Sequence, residues 1–189
     1  MSDRREAIAR VAAGVIASEG LERASLRLIA ARLDATIGTL THQFRDRDDL
    51  VRATFEVTVQ AIRARAAHSA HGKDGMELLT ALLGEAIPTD QTRRVETAVW
   101  LAFAMSATTD AEHARLYRGY YREWEDTLTE VIAMLPVSAD RDPRDVARIL
   151  IATSDGIALR ALAGQDLAAT EQQRLLAEAI TAVLGPSTP

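Results

Sequence analysis

Residues 25–50, SLRLIAARLDATIGTLTHQFRDRDDL, decide the fold of this chain. Four apolar residues recur at the i, i+3, i+4, i+7 spacing that buries one stripe of a helix: Leu26, Ile29, Ala30 and Leu33. Ser25 precedes this stripe as a predicted N-cap. Asp34 interrupts the stripe, and Asp tolerates the left-handed backbone conformation of a tight turn better than most residues do. The pattern therefore predicts a helix that ends in a turn at Asp34.

A second, short helix of about two turns is predicted after this turn. Thr36 can cap it, and Leu40 and Phe44 lie four residues apart on its inward face. Its other face carries Ile37, Gly38, Thr39, Thr41, His42 and Gln43. In a helix-turn-helix the second helix enters the major groove of DNA, where hydroxyls, amides and methyl groups can read base edges. Asp46 is the predicted N-cap of a third helix, with Asp49 as a carboxylate variant of the capping box.

Length and composition favour an all-α protein with one compact domain or two small ones. The chain has 189 residues, and Ala and Leu dominate while Pro is rare. It has no cysteine, so neither a disulfide framework nor a thiolate site is expected. No apolar run approaches the roughly 18 residues of a membrane span, and residues 1–14 lack a secretory apolar region. We therefore expect a cytoplasmic protein without a membrane partner.

Helical periodicity continues along the chain and predicts about nine helices in all. A long helix from Arg47 to about residue 68 follows the short one, and a loop is expected over residues 68–75, HSAHGKDG. Residues 136–143 are a predicted linker, and the tail from Gly185 should fray. The remaining predicted helices span residues 4–19, 75–87, 90–108, 110–135, 143–163 and 170–184.

These motifs carry a family resemblance. The segment IAARLDATIGTLTHQFRDRDDL is similar to the signature of the TetR family of bacterial one-component transcriptional regulators, and the cluster GTLTHQFRDRDDL is its most specific part. The resemblance covers residues 5–55 by motif and the remaining chain by helix layout. Asp34 stands where the family usually has Gly, and Thr41 stands where it usually has a Tyr that touches backbone phosphate.

The resemblance implies a DNA-binding domain over residues 1–48 and a ligand-binding and dimerisation domain over residues 49–189. The implied DNA-binding residues are Arg5, Arg27, Thr36, Ile37, Gly38, Thr39, Thr41, His42, Gln43 and Arg47. Thr39, Thr41 and His42 would read bases, with Ile37 against a thymine methyl group. Gln43 and the three Arg residues would hold phosphates, although a solvated surface charge is the alternative for Arg27.

The charge distribution limits how the protein can bind DNA. The net charge is −5, but through residue 52 nine Arg face eight acidic residues, whereas the remaining chain has thirteen basic and nineteen acidic residues. The acidity therefore belongs to the C-terminal part. So weakly basic a footprint indicates binding that depends on geometry and on a dimer rather than on a polycationic surface.

Aromatic residues concentrate on two neighbouring predicted helices, where a ligand site between bundle helices is plausible. Core packing is the alternative, since aromatic stripes at helical spacing are usually core. Tyr and Trp faces would suit a cation such as a quaternary amine. Asp155 lies in the apolar run ILIATSDGIALRALAG, and a buried carboxylate needs a partner in the bundle, a ligand or a second subunit. The predicted ligand-binding residues are Phe55, Val59, Trp100, Phe103, Ala104, Tyr117, Tyr121, Trp124 and Asp155.

The C-terminal stretches VWLAFAMSATTDAEHARLY and ATSDGIALRALAG are similar to the BetI-type subgroup of the family, which includes choline-responsive repressors. That domain is shared by regulators of many pathways, so the resemblance does not make choline the ligand. The last two predicted helices are too apolar for the surface of a monomer. Small residues on the first of them would permit close approach of a second copy: Ala147, Ser154, Ala158 and Ala161. Apolar residues on the second would join that interface: Leu175, Leu176, Ala179, Ile180 and Val183.

We therefore predict a homodimeric repressor of a near-palindromic, double-stranded DNA operator, with its two reading helices about 34 Å apart. A small-molecule effector would favour a conformer in which the long helix is tilted, and operator affinity would fall. The rival is a dimeric ligand-binding protein whose helix-turn-helix has lost its DNA role.

An enzyme is disfavoured, and no cofactor or metal is expected. The chain lacks a phosphate-binding glycine loop, and none of its four His residues forms a convincing catalytic pair with an acid or nucleophile beside it. His68 and His71 lie near Asp74, but without a third ligand a solvated loop is the favoured interpretation.

Overall fold

The computed structural model describes residues 2–135, 141–164 and 167–185. Within these residues the chain forms nine α-helices, a single 3-10 turn over Leu21–Arg23 and no β-strand. The helices are α1 Asp3–Glu19, α2 Leu26–Arg32, α3 Ile37–Thr41, α4 Arg47–Ala70, α5 Gly75–Gly84, α6 Gln91–Ser106, α7 Ala111–Ala133, α8 Pro143–Ala163 and α9 Ala169–Leu184. The predicted all-α fold is confirmed. The predicted linker and the frayed tail fall, apart from their ends, outside the described residues.

The helices form two compact units. The first unit contains the chain up to Ile62 together with Ala98–Tyr117, and the second contains Arg63–Thr97 together with the chain from Arg118 onwards. Helices α4, α6 and α7 each contribute residues to both units. The predicted division into domains at residues 48 and 49 stays a prediction.

The core of the first unit is built from the stripes that the sequence predicts. The buried residues are Ile8, Ala12, Val15, Ile29, Ala30, Leu40, Phe44, Leu50 and Ala53. Leu40 and Phe44 have 0% and 1% of their surface exposed, and fully burying one such side chain contributes about 1.5–3 kcal/mol. This packing fixes the orientation of α3, because Leu40 on the helix and Phe44 just after it are held by α1, α2 and α4.

The turn between α2 and α3 uses the conformation predicted for Asp34. Its φ angle is 50°, the only positive φ of a non-glycine residue in the part of the chain that the structure describes. The Ala35 N–H donates to the Ala30 carbonyl at 2.9 Å, and the Asp34 N–H donates to the Ala31 carbonyl at 3.3 Å. This is the Schellman pattern, which satisfies carbonyl groups at the end of a helix and usually has glycine at the left-handed position.

The second unit surrounds a core formed by α5, α7, α8, α9 and the end of α4. Its buried residues include Leu79, Leu83, Leu128, Ile132, Leu150, Ile151, Leu176 and Ile180. The small residues Ala147, Ser154, Ala158 and Ala161 are also buried within the single chain, each with 2% or less of its surface exposed. The prediction that these small residues face a second copy is wrong, because they let α8 pack closely against its own chain. Leu176 and Ile180 are likewise buried in their own chain.

A charged network joins three elements of the second unit. The Arg65 guanidinium at the end of α4 donates to Glu96 of α6 at 2.9 Å and also bonds to Glu85, just after α5. Ser69 and Arg93 each donate to Oε1 of Glu85 at 2.7 Å. Burial opposes ionisation of Glu85, but the hydrogen bonds from Ser69, Arg93 and Arg65 lower its pKa. The carboxylate is therefore buried and fully paired.

Several helix bounds differ from the sequence prediction, and the differences at α3, α4 and α5 change where turns begin. Helix α4 continues to Ala70, so the turn begins only at His71, close to the first glycine. Helix α5 ends at Gly84 instead of residue 87, because Glu85 and Ala86 make i+3 bonds to Leu82 and Leu83 that tighten the chain. Helix α3 has five residues, and a turn over His42 and Gln43 replaces its predicted second turn.

Candidate nucleic-acid interface and ligand-binding residues

Helix α3 presents an exposed surface on the side opposite its buried residue, Leu40. The Thr36 hydroxyl caps the helix by accepting from the Thr39 N–H at 3.2 Å. Ile37 is 48% exposed, and Gly38, Thr41 and His42 are exposed as well. Ile37 is therefore exposed among small and polar side chains. Such a surface is suited to contact with a partner rather than to packing in a core.

The polar groups on this surface bond to one another. The Thr41 hydroxyl donates to the Gly38 carbonyl at 3.2 Å, and the hydroxyls of Thr36 and Thr39 lie 3.1 Å apart. The amide Nε2 of Gln43 lies 3.3 Å from Nδ1 of His42. Each of these groups keeps further hydrogen-bonding capacity, since a hydroxyl oxygen has two lone pairs and an imidazole has a second nitrogen.

Two of the three arginines predicted to hold phosphates have partners within the chain. Arg47 donates to the carbonyl groups of Ala24 at 3.1 Å and Leu21 at 2.7 Å, so it ties the first turn of α4 to the 3-10 turn. Arg5 bonds to Asp49 of α4 and to the Gln43 carbonyl. The sequence did not indicate either set of partners, because they are 23 to 44 residues away along the chain.

Other cations near α3 remain exposed. Arg27 lies exposed on α2, as a phosphate ligand would need to be. Arg45, which the sequence analysis did not single out, has 78% of its side chain exposed and directly follows Phe44. The available signal was its place between a buried aromatic residue and the N-cap of the next helix, where a long side chain must point outward.

The start of α4 departs partly from the predicted capping box. Asp46 accepts from the Asp49 N–H at 2.7 Å, as an N-cap should. The Asp49 carboxylate, however, accepts from the Arg45 N–H at 3.0 Å instead of the Asp46 N–H. Burial opposes ionisation of Asp49, but hydrogen bonds from Arg5 and from that backbone N–H lower its pKa. Asp49 is therefore an anion at neutral pH.

Among the predicted ligand-binding residues, one group lies in the first unit and packs ring against ring. Phe55 and Phe103 are stacked with centroids 3.7 Å apart, and their exposed fractions are 0% and 1%. Trp100 lies 5.5 Å from Phe55 and 5.0 Å from Tyr117 between ring centroids. Val59 is buried, whereas Ala104 is only half-buried. The Phe55 and Phe103 rings act as core here, which was the alternative interpretation of the stripe.

His113 belongs to this aromatic group, and the sequence analysis did not place it there. It is 4% exposed, its ring lies 4.6 Å from that of Phe103, and its Nδ1 lies 2.7 Å from the Ser106 hydroxyl. Its other nitrogen, Nε2, is buried without a hydrogen-bond partner among the described residues. The i, i+7 spacing of Ser106 and His113 across a helix-to-helix turn was the available signal.

The other predicted ligand-binding residues, Tyr121, Trp124 and Asp155, lie in the second unit. The Tyr121 hydroxyl donates to Oδ2 of Asp155 at 2.6 Å, and Trp124 packs against the core of that unit. Loss of solvent raises the pKa of Asp155, and the hydrogen bond from Tyr121 offsets this effect only in part. The carboxylate therefore has a partner within the bundle, and a cation beside it would favour its ionised form.

The described residues lack two features, a membrane-spanning helix and a cluster that could hold a metal ion. None of their helices is long and apolar enough to cross a membrane. They also contain no cluster of three or more His, Cys, Asp or Glu side chains that could hold a metal ion.

Comparison with known proteins gives two family matches. Residues 8–54 match the family described as bacterial regulatory proteins, tetR family. Residues 75–185 match the family described as BetI-type transcriptional repressor, C-terminal. The second match alone covers more than half of the chain.

Individual relatives agree with these matches. The HTH-type transcriptional regulator PksA of Bacillus subtilis is 30% identical over 171 residues, which cover 84% of this chain and 78% of PksA. The crystal structure of a transcriptional regulator from Rhodococcus sp. Rha1 superimposes with a TM-score of 0.89 at 26% identity over the whole of both chains. A regulator from Saccharomonospora viridis, crystallised in complex with choline, gives a TM-score of 0.88 at 25% identity over 95% of this chain and 96% of the other. With its helix-turn-helix at the N-terminus and a BetI-type C-terminal part, the chain belongs to the TetR family of bacterial transcriptional regulators.

Proposed function

We propose that the protein is a homodimeric repressor that binds a near-palindromic operator and releases it when a small organic cation binds. The observation that carries the DNA-binding part is the exposed face of α3, held outward by the burial of Leu40 and Phe44. Gly38 adds to this argument. A Cβ atom there would meet only Oγ1 of Thr36, at 3.7 Å, so folding does not require glycine, although glycine within a helix costs about 0.5–1 kcal/mol. Its absent side chain lets a nucleic-acid backbone or base approach closely.

A gel-shift assay with DNA from upstream of the protein's own gene tests this part. His42→Ala should lower operator affinity about 5- to 150-fold, since a good base contact contributes about 1–3 kcal/mol of discrimination. The matched control is His71→Ala, which also removes an exposed imidazole, from the turn after α4. Unchanged affinity in His42→Ala would contradict the assignment of α3 as the reading helix. Absence of any binding by the unaltered protein would favour the rival without a DNA role.

The dimer is proposed to form through the exposed stripe of α8, defined by Ile149, Ala152, Gly156, Leu159 and Ala163. These residues recur at i, i+3, i+7, i+10 and i+14, and all five are exposed. A Cβ atom at Gly156 would meet nothing within 4 Å, so glycine is not needed for packing within the chain. On α9, Ala177 and Ala182 are exposed small residues. Small side chains flanked by Ile149 and Leu159 allow two copies of α8 to approach closely, as in a four-helix interface.

The effector is proposed to contact Asp155 and Tyr121 in the second unit. A half-buried carboxylate with a phenol beside it offers a negative charge and an aromatic face, and both attract an organic cation. The choline bound by the Saccharomonospora viridis regulator supports this class of ligand. Effector binding would favour a conformer in which α4 is tilted. Within the first unit α4 is joined to α7 by an ion pair between Arg52 and Glu112 at 3.3 Å, so a shift of either helix would be felt by the other.

Asp155→Asn tests the effector site while keeping an oxygen that accepts from Tyr121. The variant should lose its response to quaternary and tertiary amines in the gel-shift assay, but its operator affinity without effector should stay unchanged. The pKa of Asp155 is raised because the folded chain disfavours its ionised carboxylate, so this charge costs stability at pH 7. Asparagine carries no charge, and the variant should therefore be at least as stable as the unaltered protein at that pH. Each amine is paired with its neutral carbon isostere, and equal responses to both would contradict recognition of the cation.

A further inference from the structure

Arg5, near the start of α1, makes four contacts with residues at the far end of the helix-turn-helix. Its Nη2 lies 2.6 Å from Oδ1 of Asp49, and its Nη1 lies 3.4 Å from Oδ2 of the same carboxylate. Nη1 also donates to the Gln43 carbonyl. The guanidinium carbon lies 4.3 Å from the centroid of the Phe44 ring, within the range of a cation–π contact. All four contacts of the guanidinium are therefore with groups of the protein itself.

Asp49 is bonded from both sides. Besides Arg5, its carboxylate accepts from the Arg45 N–H at 3.0 Å, and its own N–H is capped by Asp46. Only 13% of the Asp49 side chain and 24% of the Arg5 side chain are exposed. One ion pair therefore connects three segments: the start of α1, the turn that follows α3, and the first turn of α4.

We propose that Arg5 is a positioning residue for operator reading, and that it acts through Asp49 and the Gln43 carbonyl instead of through phosphate. The inference rests on the proposed DNA-binding function. Arg5 and Asp49 together carry no net charge, so the pair adds little to attraction by the DNA backbone. To bind phosphate bidentately, Arg5 would have to leave a two-point pair with Asp49 and expose a carboxylate to the DNA. The pair instead fixes where His42 and Gln43 stand relative to the first turn of α4.

This arrangement gives α4 a direct route to the reading helix. Asp49 lies on α4, whereas Gln43 and Phe44 follow α3. Arg5 is bonded to both sides, so a displacement of the first turn of α4 must either carry the end of the reading segment with it or break the pair. Arg5 thereby fixes the position of the residues at the end of α3. It also connects them to α4, the helix whose tilt is proposed to follow effector binding.

A double-mutant cycle on operator affinity tests the proposal with Arg5→Gln, Asp49→Asn and the double variant. If Arg5 acts through Asp49, each single variant should weaken operator binding about tenfold, and the double variant should be no weaker than the worse single one, because paired groups couple strongly. If Arg5 holds phosphate, Asp49→Asn should leave affinity unchanged or increase it, since it removes an anion. Additive effects in the cycle would overturn the proposal.

The salt dependence of binding provides a second readout that a phosphate ligand would move. The slope of log affinity against log salt is negative, and loss of one phosphate contact reduces its magnitude by about 0.9. Loss of a residue that only positions the α3 surface leaves this slope unchanged. Arg10→Gln is the matched control, since Arg10 also lies on α1 and pairs with Glu6 on the surface. A slope in Arg5→Gln that falls further than the slope in Arg10→Gln would assign Arg5 to phosphate.

Arg5→Lys separates charge from geometry. Lysine keeps the positive charge but lacks the planar fork that reaches Asp49 and the Gln43 carbonyl together. Positioning predicts that Arg5→Lys loses most of the affinity that Arg5→Gln loses, whereas near-complete rescue by lysine would contradict it. Far-UV circular dichroism and thermal unfolding identify the temperature range in which the variants stay folded, and affinities are compared within that range.

Amide hydrogen exchange tests the role of Arg5 in the absence of DNA. Amide hydrogen exchange over residues 40–46 should be faster in Arg5→Gln than in Arg10→Gln, because the turn after α3 has lost its tether. Unchanged protection there overturns the positioning role even if the unaltered protein binds its operator. If the unaltered protein does not bind DNA, the proposed function fails, and faster exchange would still show that Arg5 fixes this turn.

Discussion

Replacing Ile149 and Leu159 together with Ser removes the two large apolar side chains from the exposed stripe of α8. In the single chain they are 47% and 53% exposed. Since fully burying such a side chain contributes about 1.5–3 kcal/mol, burying the exposed half contributes about 1 kcal/mol. A symmetric dimer buries each residue twice, so the double substitution should cost about 4 kcal/mol of dimer stability. That energy corresponds to about a thousandfold increase in the dimer dissociation constant.

Sedimentation velocity over a range of protein concentrations measures this dissociation constant directly. The substitutions should leave folding nearly intact, because surface changes of this kind alter stability by only about 0.5 kcal/mol. The matched control replaces Met105 and Met134 with Ser, two residues that are 70% and 73% exposed but lie outside α8 and α9. A dissociation constant within threefold of the unaltered value, or an equal loss in the methionine control, would refute the assignment of the interface. Operator affinity at nanomolar protein should fall in parallel, since one reading helix alone makes half of the contacts.

Two further predictions concern stability. Asp34→Val should lower the free energy of unfolding by about 1–2 kcal/mol, because a β-branched residue is strained at a φ of 50°. Asp34→Gly should keep or raise the free energy of unfolding. Urea unfolding compares the two variants, and equal effects would contradict strain as the cause. Ser106→Ala should lower the free energy of unfolding by about 1–3 kcal/mol, because it leaves both ring nitrogens of the buried His113 without a partner. Thermal unfolding measures the loss, and the control is Ser18→Ala, which removes an exposed hydroxyl from α1. Equal losses in the two variants would contradict a buried hydrogen bond.

The N-terminal part of the fold could be predicted from its sequence because its determinants are local. The caps Ser25, Thr36 and Asp46 lie within four residues of the groups they satisfy. Leu40 and Phe44 lie four residues apart in a largely polar segment and are both buried as that spacing predicts, whereas the apolar Ile37 is exposed. Asp34 is the position at which neither neighbouring stripe continues. In each case one residue type and one spacing leave little alternative.

Contacts between distant residues could not be predicted in this way. The family resemblance implied that Arg5 and Arg47 hold phosphates, and nothing near them in the sequence identifies Asp49 or the Leu21 carbonyl as partners. The small residues of α8 posed a different problem. Ala147 and Gly156 both permit close approach, but only the packing of the chain shows that Ala147 is buried internally while Gly156 is exposed.

The network around Arg65 constrains how this protein can change over evolutionary time. Removing one member of a buried charged group typically costs about 3–5 kcal/mol, because it leaves an uncompensated charge, whereas replacing the whole group with well-packed apolar residues can be neutral. Arg65, Glu85 and Glu96 are bonded as one group, so single substitutions among them should be selected against. Homologues should therefore retain all three residues or have lost them together, and intermediate combinations should be rare.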